Sequence, residues 1–379
     1  MSFLNLFRKK KATASVNRAP SYLSGIAKTE TGLADTRAAI DELSKAVKDT
    51  PEAVEIYLAL GNLYRSQGEI ERAAQIRNSL IVRPGLAPVT KARALYELGR
   101  DFSRGGFLDR AVSAFEKARA IVGDSPEILT ELAEIEARGR EFEKAAHYHA
   151  KLDQPVQEAH YLARCAEDYF SDGDDATAYR ILKKAIDIYP SSTESWLLVL
   201  SRLKKDNKLD DFREKFREAL QKVPNHLRFV LVEGLLAEST IFGDTPTSVA
   251  VSDGEKNISF YEVMVEEIES SDPDVSMHYY GARLLQLCNN QEEASVWLEK
   301  TLILNQNFWL ARLELFNLAQ DQQQLTPSFK NQLDFFVNIA HKIKKFTCSS
   351  CGFKRDRIFF VCPRCRSWHS ITFRKELNQ

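Results

Sequence analysis

The middle of the chain repeats a pattern of large apolar, small and polar residues with a period of about 34 positions. In YLALGNLYRSQGEIERAA (Tyr57–Ala74), a large residue precedes Leu–Gly and Tyr, and Gly68 and Ala73 follow. The stretch LYELGRDFSRGGFLDRAVSAFEKA repeats these offsets, with Gly99 and Ala111 at the small positions. Apolar residues three or four positions apart form one face of a helix, so each copy predicts two helices joined by a short turn.

Further copies extend the pattern over residues 50–320 and resemble the tetratricopeptide consensus. Their register residues are Leu132 and Ala145 (third copy); Leu162, Cys165, Ala166, Tyr169, Gly173, Ala178, Leu182, Ala185 and Pro190 (fourth); Trp196, Leu203, Phe216, Ala219 and Pro224 (fifth); and Ala294 and Leu298 in a diverged copy, His278–Thr301. One hairpin cannot bury its own apolar face, so copies stack into a solenoid with a groove for partners. We predict an all-α tetratricopeptide solenoid with a small C-terminal β-type module, and helices over Leu33–Val47 that supply another repeat or a cap.

One segment interrupts the repeats. Ser239–Phe260 is rich in Ser, Thr, Gly and Asp, which predicts a long loop. We expect a helix near Tyr261–Ile268 to follow it. A tolerated surface insertion is favoured over a binding loop.

Cysteine and histidine residues within the repeats offer little candidate chemistry. Cys165 and Cys288 occupy helix-core positions, where cysteine behaves as a small buried hydrophobe. His147 and His149 stand two positions apart on a helix and face different directions, which disfavours a shared metal.

The remaining four of the six cysteines lie in a short C-terminal stretch. Cys348, Cys351, Cys362 and Cys365 have the spacing C-x2-C-x10-C-x2-C. Two such pairs can direct four thiolates at one point and complete a tetrahedral site for zinc or iron. We therefore predict one structural metal ion, bound by these four residues. Disulfides are the disfavoured alternative, because the expected compartment is reducing.

The residues around the cysteines predict two turns and short strands. Gly352 suits the backbone angles that follow a C-x2-C pair, and Pro363 favours the second turn. Ile358–Val361 is predicted to be a strand, and Ser370–Phe373 a closing strand. Because a module of this size has little hydrophobic core of its own, the metal is expected to supply much of its stability.

The predicted site is structural rather than catalytic. Four thiolates fill a tetrahedral zinc site and leave no position for water, which excludes hydrolytic zinc chemistry unless one of the four ligands is not bound. Trp368 and His369 are interpreted as packing and surface residues, not as a fifth ligand or a base. We predict no catalytic residue.

Charge is distributed unevenly along a chain whose formal net charge is −1. Residues 1–20 carry five Lys or Arg and no acid, and residues 341–379 carry ten against Asp356 and Glu376. The predicted domains are a basic N-terminal segment (1–20), the repeat solenoid (21–340) and the four-cysteine module (341–379). No stretch reaches the roughly 18 apolar residues of a membrane span, and no signal-peptide pattern is found, so a cytoplasmic location is expected.

With the repeats and the cysteine module combined, the chain resembles the lipopolysaccharide assembly protein B (LapB) family. The sharpest matches are Leu58–Ile81, Ala94–Ala111 and the CGF…CPRCRSW tail. The resemblance implies a non-enzymatic adaptor at the inner membrane of Gram-negative bacteria. Its partners would be envelope-biogenesis enzymes, including the deacetylase LpxC, and the membrane protease FtsH that degrades it. The resemblance also implies that Cys348, Cys351, Cys362 and Cys365 form a rubredoxin-like metal site.

One departure from the family concerns the start of the chain. Family members usually begin with a transmembrane helix, whereas this chain begins MSFLNLFRKKK (residues 1–11). Its four apolar side chains and following cations favour an interfacial anchor on anionic lipids, with a dissolved, unstructured start as the alternative.

Two alternative functions stay open at the level of sequence. In the first, the basic module contacts nucleic-acid phosphates through Lys354, Arg355, Arg357, Arg364 and Arg366, with Phe353 and Trp368 available for stacking. The acidic repeat body argues against it. In the second, an iron-loaded module carries electrons, although nothing in the sequence indicates a redox partner.

Overall fold

The computed structural model describes residues 34–49, 53–237, 241–242, 254–322, 326–341 and 343–376. Within these ranges the chain is helical up to a small C-terminal sheet, which confirms the predicted fold class. The helices are α1 (Ala34–Asp49), α2 (Val54–Ser66), α3 (Ile70–Ile81), α4 (Pro88–Arg104), α5 (Leu108–Val122), α6 (Pro126–Arg138), α7 (Phe142–Lys151), α8 (Pro155–Asp172), α9 (Asp175–Ile188), α10 (Thr193–Lys205), α11 (Leu209–Lys222), α12 (Asn225–Leu236), α13 (Gly254–Ser270), α14 (Val275–Leu287), α15 (Gln291–Leu304), α16 (Trp309–Gln322) and α17 (Pro327–His341). The strands are β1 (Phe346–Cys348), β2 (Lys354–Arg355) and β3 (Ile371–Phe373).

None of the described helices combines the length and the apolar composition that a bilayer crossing requires. Residues 1–11, predicted to be an interfacial anchor, lie outside the described residues.

Local sequence explains where the hairpin α8–α9 begins, turns and ends. Pro155 occupies the first turn of α8, where its missing N–H costs no helical hydrogen bond. Gly173 ends that helix in the left-handed conformation (φ 84°), which glycine adopts without strain. Asp174 then caps α9 by accepting a hydrogen bond of 3.1 Å from the backbone N–H of Thr177. The repeat consensus thus fixes the turn as well as the helices.

The described residues form two compact units that divide within α6, between Glu131 and Leu132. The sequence pattern does not predict this division, because the consensus positions of the third copy continue directly after it. The predicted domain boundaries at residues 20/21 and 340/341 stay predictions.

A buried arginine holds the first unit together where the consensus would place an aromatic ring. Arg77 is fully buried and stands at the register position that Phe115 occupies in the next copy. Its guanidinium donates hydrogen bonds to the backbone oxygen of Leu58 (2.8 Å), to Asn62 (2.6 Å) and to the carboxylate of Asp101 (3.2 Å). Because these partners satisfy the buried charge, the first two hairpins are joined by a polar network rather than by ring packing.

The second unit corrects the prediction for the segment before α13. This helix begins at Gly254 rather than near Tyr261, so it takes in the end of the stretch that was predicted to be a loop. Of residues 238–253, the structure describes Ile241 and Phe242. The Phe242 ring centroid lies 5.3 Å from that of His160 and 5.6 Å from that of Phe360. At least this part of the insertion contributes to packing.

The C-terminal sheet has the strand order β2-β1-β3, with both pairings antiparallel. The closing strand was predicted correctly to within one residue at its start, but Ile358–Val361 is not a strand. Phe359 and Phe360 are both buried, whereas consecutive side chains of a strand point to opposite faces. A single bridge between Val361 and Trp368 is the pairing that this segment makes.

Gly281 is expected to be intolerant of any side chain. A Cβ atom at this position of α14 would overlap the indole ring of Trp297 on α15, which is itself buried. We expect Gly281→Ala to lower the free energy of unfolding by roughly 1–3 kcal/mol, because the ring cannot move without disturbing the core. Gly139→Ala is the matched control, since its Cβ would lie 3.5 Å from its nearest neighbours. Equal unfolding midpoints for the two variants in urea would refute this packing argument.

Candidate metal centre

The first cysteine pair is shaped by the end of β1. The backbone N–H of Gly352 donates a hydrogen bond of 2.9 Å to the carbonyl of Cys348, and the N–H of Cys348 donates one of 2.8 Å to Phe353. Gly352 has a φ of +69°, as its predicted role in this turn requires. This geometry directs the side chains of Cys348 and Cys351 to the same point.

The second pair repeats the same hydrogen-bond pattern. The N–H of Arg366 donates to the carbonyl of Cys362 (3.0 Å), and the N–H of Cys362 donates to Ser367 (2.9 Å). Arg366 takes the left-handed conformation, with a φ of +60°, at the position that glycine holds in the first pair. The two halves of the site are therefore built alike from different residues.

The four sulfur atoms lie within 4.8 Å of one another. Cys348 Sγ is 3.7 Å from Cys365 Sγ, and Cys351 Sγ is 3.6 Å from Cys362 Sγ. A disulfide would need an S–S distance of about 2.05 Å. A tetrahedron with metal–sulfur bonds of about 2.3 Å has edges of about 3.8 Å, which these separations approach. The cluster fits one metal ion with four thiolate ligands.

Hydrogen bonds favour the ionised form of two of these thiols, those of Cys348 and Cys365. Burial opposes the thiolate of Cys348, but bonds from the hydroxyls of Ser370 (3.2 Å) and Ser367, with nearby backbone N–H groups, lower its pKa to about 5. The hydroxyl of Ser367, 3.0 Å away, likewise lowers the pKa of Cys365. Burial, with the neighbouring thiols, raises the pKa of Cys351 to about 12. Four thiolates this close need a cation among them, and a divalent metal would supply it.

Among the described residues, no His, Asp, Glu or further Cys joins this cluster as a ligand. Across the described part of the chain, these cysteines are the one group of three or more Cys, His, Asp or Glu residues placed to share a metal. Cys165 and Cys288 lie elsewhere, and burial raises the pKa of both thiols, to about 11 for Cys165. His149 is buried and His147 exposed, so the two do face different directions.

The module is docked on the helices of the second unit through an aromatic cluster that the sequence did not reveal. Phe373 of β3 is at its centre, with its ring centroid 5.5 Å from that of Phe308 and 5.7 Å from those of Phe229 and Phe346. The rings of Tyr279 and Tyr280 lie 5.8 Å away. These separations are typical of favourable ring pairs. The module and the helices therefore share one core.

A buried carboxylate adds a polar contact to this docking surface. Glu194 of α10 is fully buried and accepts hydrogen bonds from His160 Nδ1 (2.9 Å) and from His369 Nε2 (3.0 Å). Burial disfavours its charged form, but His369 and the two hydrogen bonds outweigh that effect and place the pKa of Glu194 well below its usual value. Burial also opposes the charge on His369, yet Glu194 raises its pKa. His369 is a docking residue.

The neighbouring aromatic residues are also committed to packing. The indole ring of Trp368 lies 4.9 Å from the ring of His160 and 6.2 Å from that of Tyr161. The Phe353 ring packs against Phe359, at 6.4 Å. Both side chains are half-buried in these edge-to-face contacts, so less of each ring is free for the base stacking that the nucleic-acid alternative would need.

The contact between Glu194 and His369 predicts a pH dependence of stability. The raised pKa of His369 gives stability that is full below its ordinary value of 6.5 and lost as the pH rises through the raised value. The lowered pKa of Glu194 gives stability that is present above 4.5 and lost only at much lower pH. The contact therefore stabilises the fold most between 4.5 and 6.5.

Urea unfolding from about pH 6 to about pH 9 measures this contribution. Over that range we expect the free energy of unfolding to fall more for the unmodified protein than for Glu194→Gln. In the variant, the imidazolium of His369 has no carboxylate partner. Parallel pH profiles for the two proteins would contradict the assigned role of Glu194.

The fold and the site together define a class: a tetratricopeptide-repeat protein with a four-cysteine C-terminal module. The tetratricopeptide repeat family model matches residues 26–83 and 96–153. The chain is also similar, at 24% identity over 341 residues, to the protein named Lipopolysaccharide assembly protein B in Escherichia coli strain K12. That match covers 88% of this chain and 84% of the relative.

The protein of the same name in Haemophilus influenzae is 24% identical over 351 residues, which cover 84% of this chain and 78% of that protein. A solved tetratricopeptide repeat protein from Parabacteroides merdae is 16% identical over 70% of this chain and 98% of its own, with a TM-score of 0.32. The resemblance to lipopolysaccharide assembly protein B, predicted from the repeats and the cysteine tail, is confirmed.

Proposed function

We propose that this chain is a non-enzymatic adaptor in lipopolysaccharide assembly, which binds protein partners through its repeats. The observation that carries the proposal is the similarity to proteins named Lipopolysaccharide assembly protein B over 88% of the chain. Tetratricopeptide hairpins present extended surfaces for protein partners, which supports the adaptor role. The chemistry that the protein governs is then carried out by the enzymes it binds.

The proposal assigns a structural role to the cysteine module. Cys348, Cys351, Cys362 and Cys365 bind one metal ion, iron or zinc, which stabilises the module and so the aromatic cluster around Phe373. The sulfur separations and the lowered pKa of the Cys348 thiol support this assignment. With four thiolate ligands the metal has no open position for a substrate.

The finer proposal concerns the partners and the location. The adaptor brings the deacetylase LpxC to the membrane protease FtsH and so limits lipopolysaccharide synthesis. It works at the cytoplasmic face of the inner membrane, with residues 1–11 on the anionic lipid surface. The family resemblance supports the partners and the inner-membrane location, and the apolar side chains and cations of residues 1–11 support the contact with lipid.

The lifetime of LpxC in the native cell tests the finer proposal. We expect the half-life of LpxC to lengthen several-fold when the chain is depleted, because the protease loses the protein that delivers its substrate. Re-expression of the intact chain is the control and should restore the short half-life. An unchanged half-life after depletion would remove the LpxC role, while the broader adaptor role would be tested by partner capture.

A further inference from the structure

The first unit contains an open groove of about 770 Å³ whose charge the repeat consensus does not explain. It lies between α3 and α5, with α4 as its floor. Leu95, Leu98 and Phe102 of α4 form the apolar base, and Ile81 and Ile121 flank it. Binding pockets in proteins are typically about 300–1,000 Å³, so the volume is that of a site for several side chains of a partner.

The charged residues of this groove are nearly all basic. Lys91, Arg110 and Lys117 line it and are exposed, and Asp109 is its one acidic residue. None of these three cations is found in an ion pair with a residue that the structure describes. By contrast Arg119, on the same helix but outside the groove, pairs with both Glu116 and Asp124. Arg110 packs on the rings of Phe102 and Phe107 instead, at 6.0 and 5.5 Å. Cations without an ion-pair partner are thus a property of the groove and not of α5 as a whole.

An equivalent groove in the second unit provides an internal comparison. It lies between α7 and α9, measures about 380 Å³, and has Leu162, Cys165 and Tyr169 of α8 at its base. These residues stand where α4 has Leu95, Leu98 and Phe102, so the repeat framework is the same.

The charges of the two grooves differ although their frameworks match. Glu158 replaces Lys91 in register, and Glu143 adds a second carboxylate to the second groove. These acids balance Arg180 and Lys184. The basic character of the first groove is therefore a feature of its own residues, not a consequence of the repeat.

We propose that the groove of the first unit docks an acidic amphipathic segment of a partner protein. This inference rests on the proposed adaptor function and specifies the partner chemistry. Apolar side chains of the segment contact Leu95, Leu98 and Phe102, while its carboxylates face the cations at the rim. The apolar contacts provide most of the affinity, and the exposed charges select acidic partners and accelerate association.

A helical segment with apolar residues at every third or fourth position fits this arrangement, because it presents one apolar stripe with acids on either side. The second groove, smaller and of mixed charge, does not select such a segment. The same substitution is therefore expected to weaken binding in the first groove and to have no effect in the second.

The test uses the full chain and a fluorescein-labelled peptide of about twelve residues, with Leu at helical spacing and Glu elsewhere. Fluorescence anisotropy gives its Kd. We expect saturable binding that weakens with salt, and a Kd about tenfold higher for Lys117→Glu. Lys184→Glu, at the equivalent position of the second groove, is the matched control and should leave the Kd unchanged. Both side chains are exposed or line an open groove, so folding is preserved, as circular dichroism can verify.

Three results would overturn the inference: no saturable binding, an equal loss of affinity in both variants, or equal affinity for a peptide with Lys in place of Glu. Phosphatidylglycerol vesicles test a lipid surface as the occupant instead. The groove would be assigned to lipid if the vesicles displaced the peptide and if their direct binding were weaker to Lys117→Glu. Failure of the adaptor proposal would give a different result. If the peptide binds as expected but no envelope enzyme is captured from cells, the groove is a docking site and the proposed adaptor function is wrong.

Discussion

Removal of the proposed metal ion is expected to unfold the C-terminal module and to destabilise the second unit with it. The three strands have only three, two and three residues, so the sheet cannot hold the module alone. Structural zinc contributes about 10–16 kcal/mol of apparent folding free energy in zinc-finger peptides, which shows the scale of the loss. The substitution Cys362→Ser, at a fully buried position, should have the same effect as a chelator.

Hydrogen exchange followed by mass spectrometry measures this effect segment by segment. We expect the amides of Phe346–Phe373 to exchange much faster after chelation, and those of α12 and α14 to follow because they share the aromatic cluster. Cys288→Ala is the control, since Cys288 lies outside the four-cysteine group and its loss should leave the exchange of the module unchanged. Protection that survives complete metal removal would show that packing alone holds the module.

Phe373→Ala is expected to detach the module without changing any of the four cysteines. The Phe373 ring is 5% exposed and contacts aromatic rings of β1, α12, α14 and the start of α16. Loss of a buried aromatic ring costs about 3–5 kcal/mol, through lost contacts and the cavity left behind. Denaturant unfolding of the second unit should show a loss of this size.

The matched control for this substitution is Phe336→Ala on α17. The same ring is removed there from a side chain that is 64% exposed, so the free energy of unfolding should change little. If the two variants were equally stable, the aromatic cluster could not be what docks the module. Metal content, measured on both variants, separates loss of docking from loss of the metal itself.

The periodic part of this structure is the part that the sequence predicted well. Gly99 and Phe115 recur at offsets that only packed helical hairpins require, and the structure places them in contact. The cysteine spacing was similarly informative, because C-x2-C turns have few backbone solutions. Both predictions rest on local geometry, which a short stretch of sequence encodes.

Contacts between distant residues were not predictable in the same way. Glu194 and His369 are 175 positions apart, and neither belongs to a recognisable motif. Ile358–Val361 was misread as a strand because its apolar run has the composition of one, while both Phe359 and Phe360 turn into the core. Composition cannot distinguish a strand from an irregular segment buried on one side.

The ion pair between Arg77 and Asp101 has a signal in the sequence. Each breaks the consensus: Arg77 where the next copy has Phe115, and Asp101 where the preceding copy has Leu63. Two opposite charges at core positions of adjacent copies are costly unless they meet, and in the structure they do. Pairs of complementary departures from a repeat consensus are therefore predictors of buried ion pairs.

Capture of partners from cells tests the adaptor function most directly. Cells that express the tagged chain would be crosslinked, the chain purified with its membrane-associated partners, and the partners quantified by mass spectrometry against Phe373→Ala and Phe336→Ala. The account predicts enrichment of lipopolysaccharide-assembly enzymes with the intact chain and with Phe336→Ala, and a marked loss with Phe373→Ala. Absence of these enzymes from the intact chain's crosslinked partners would contradict it.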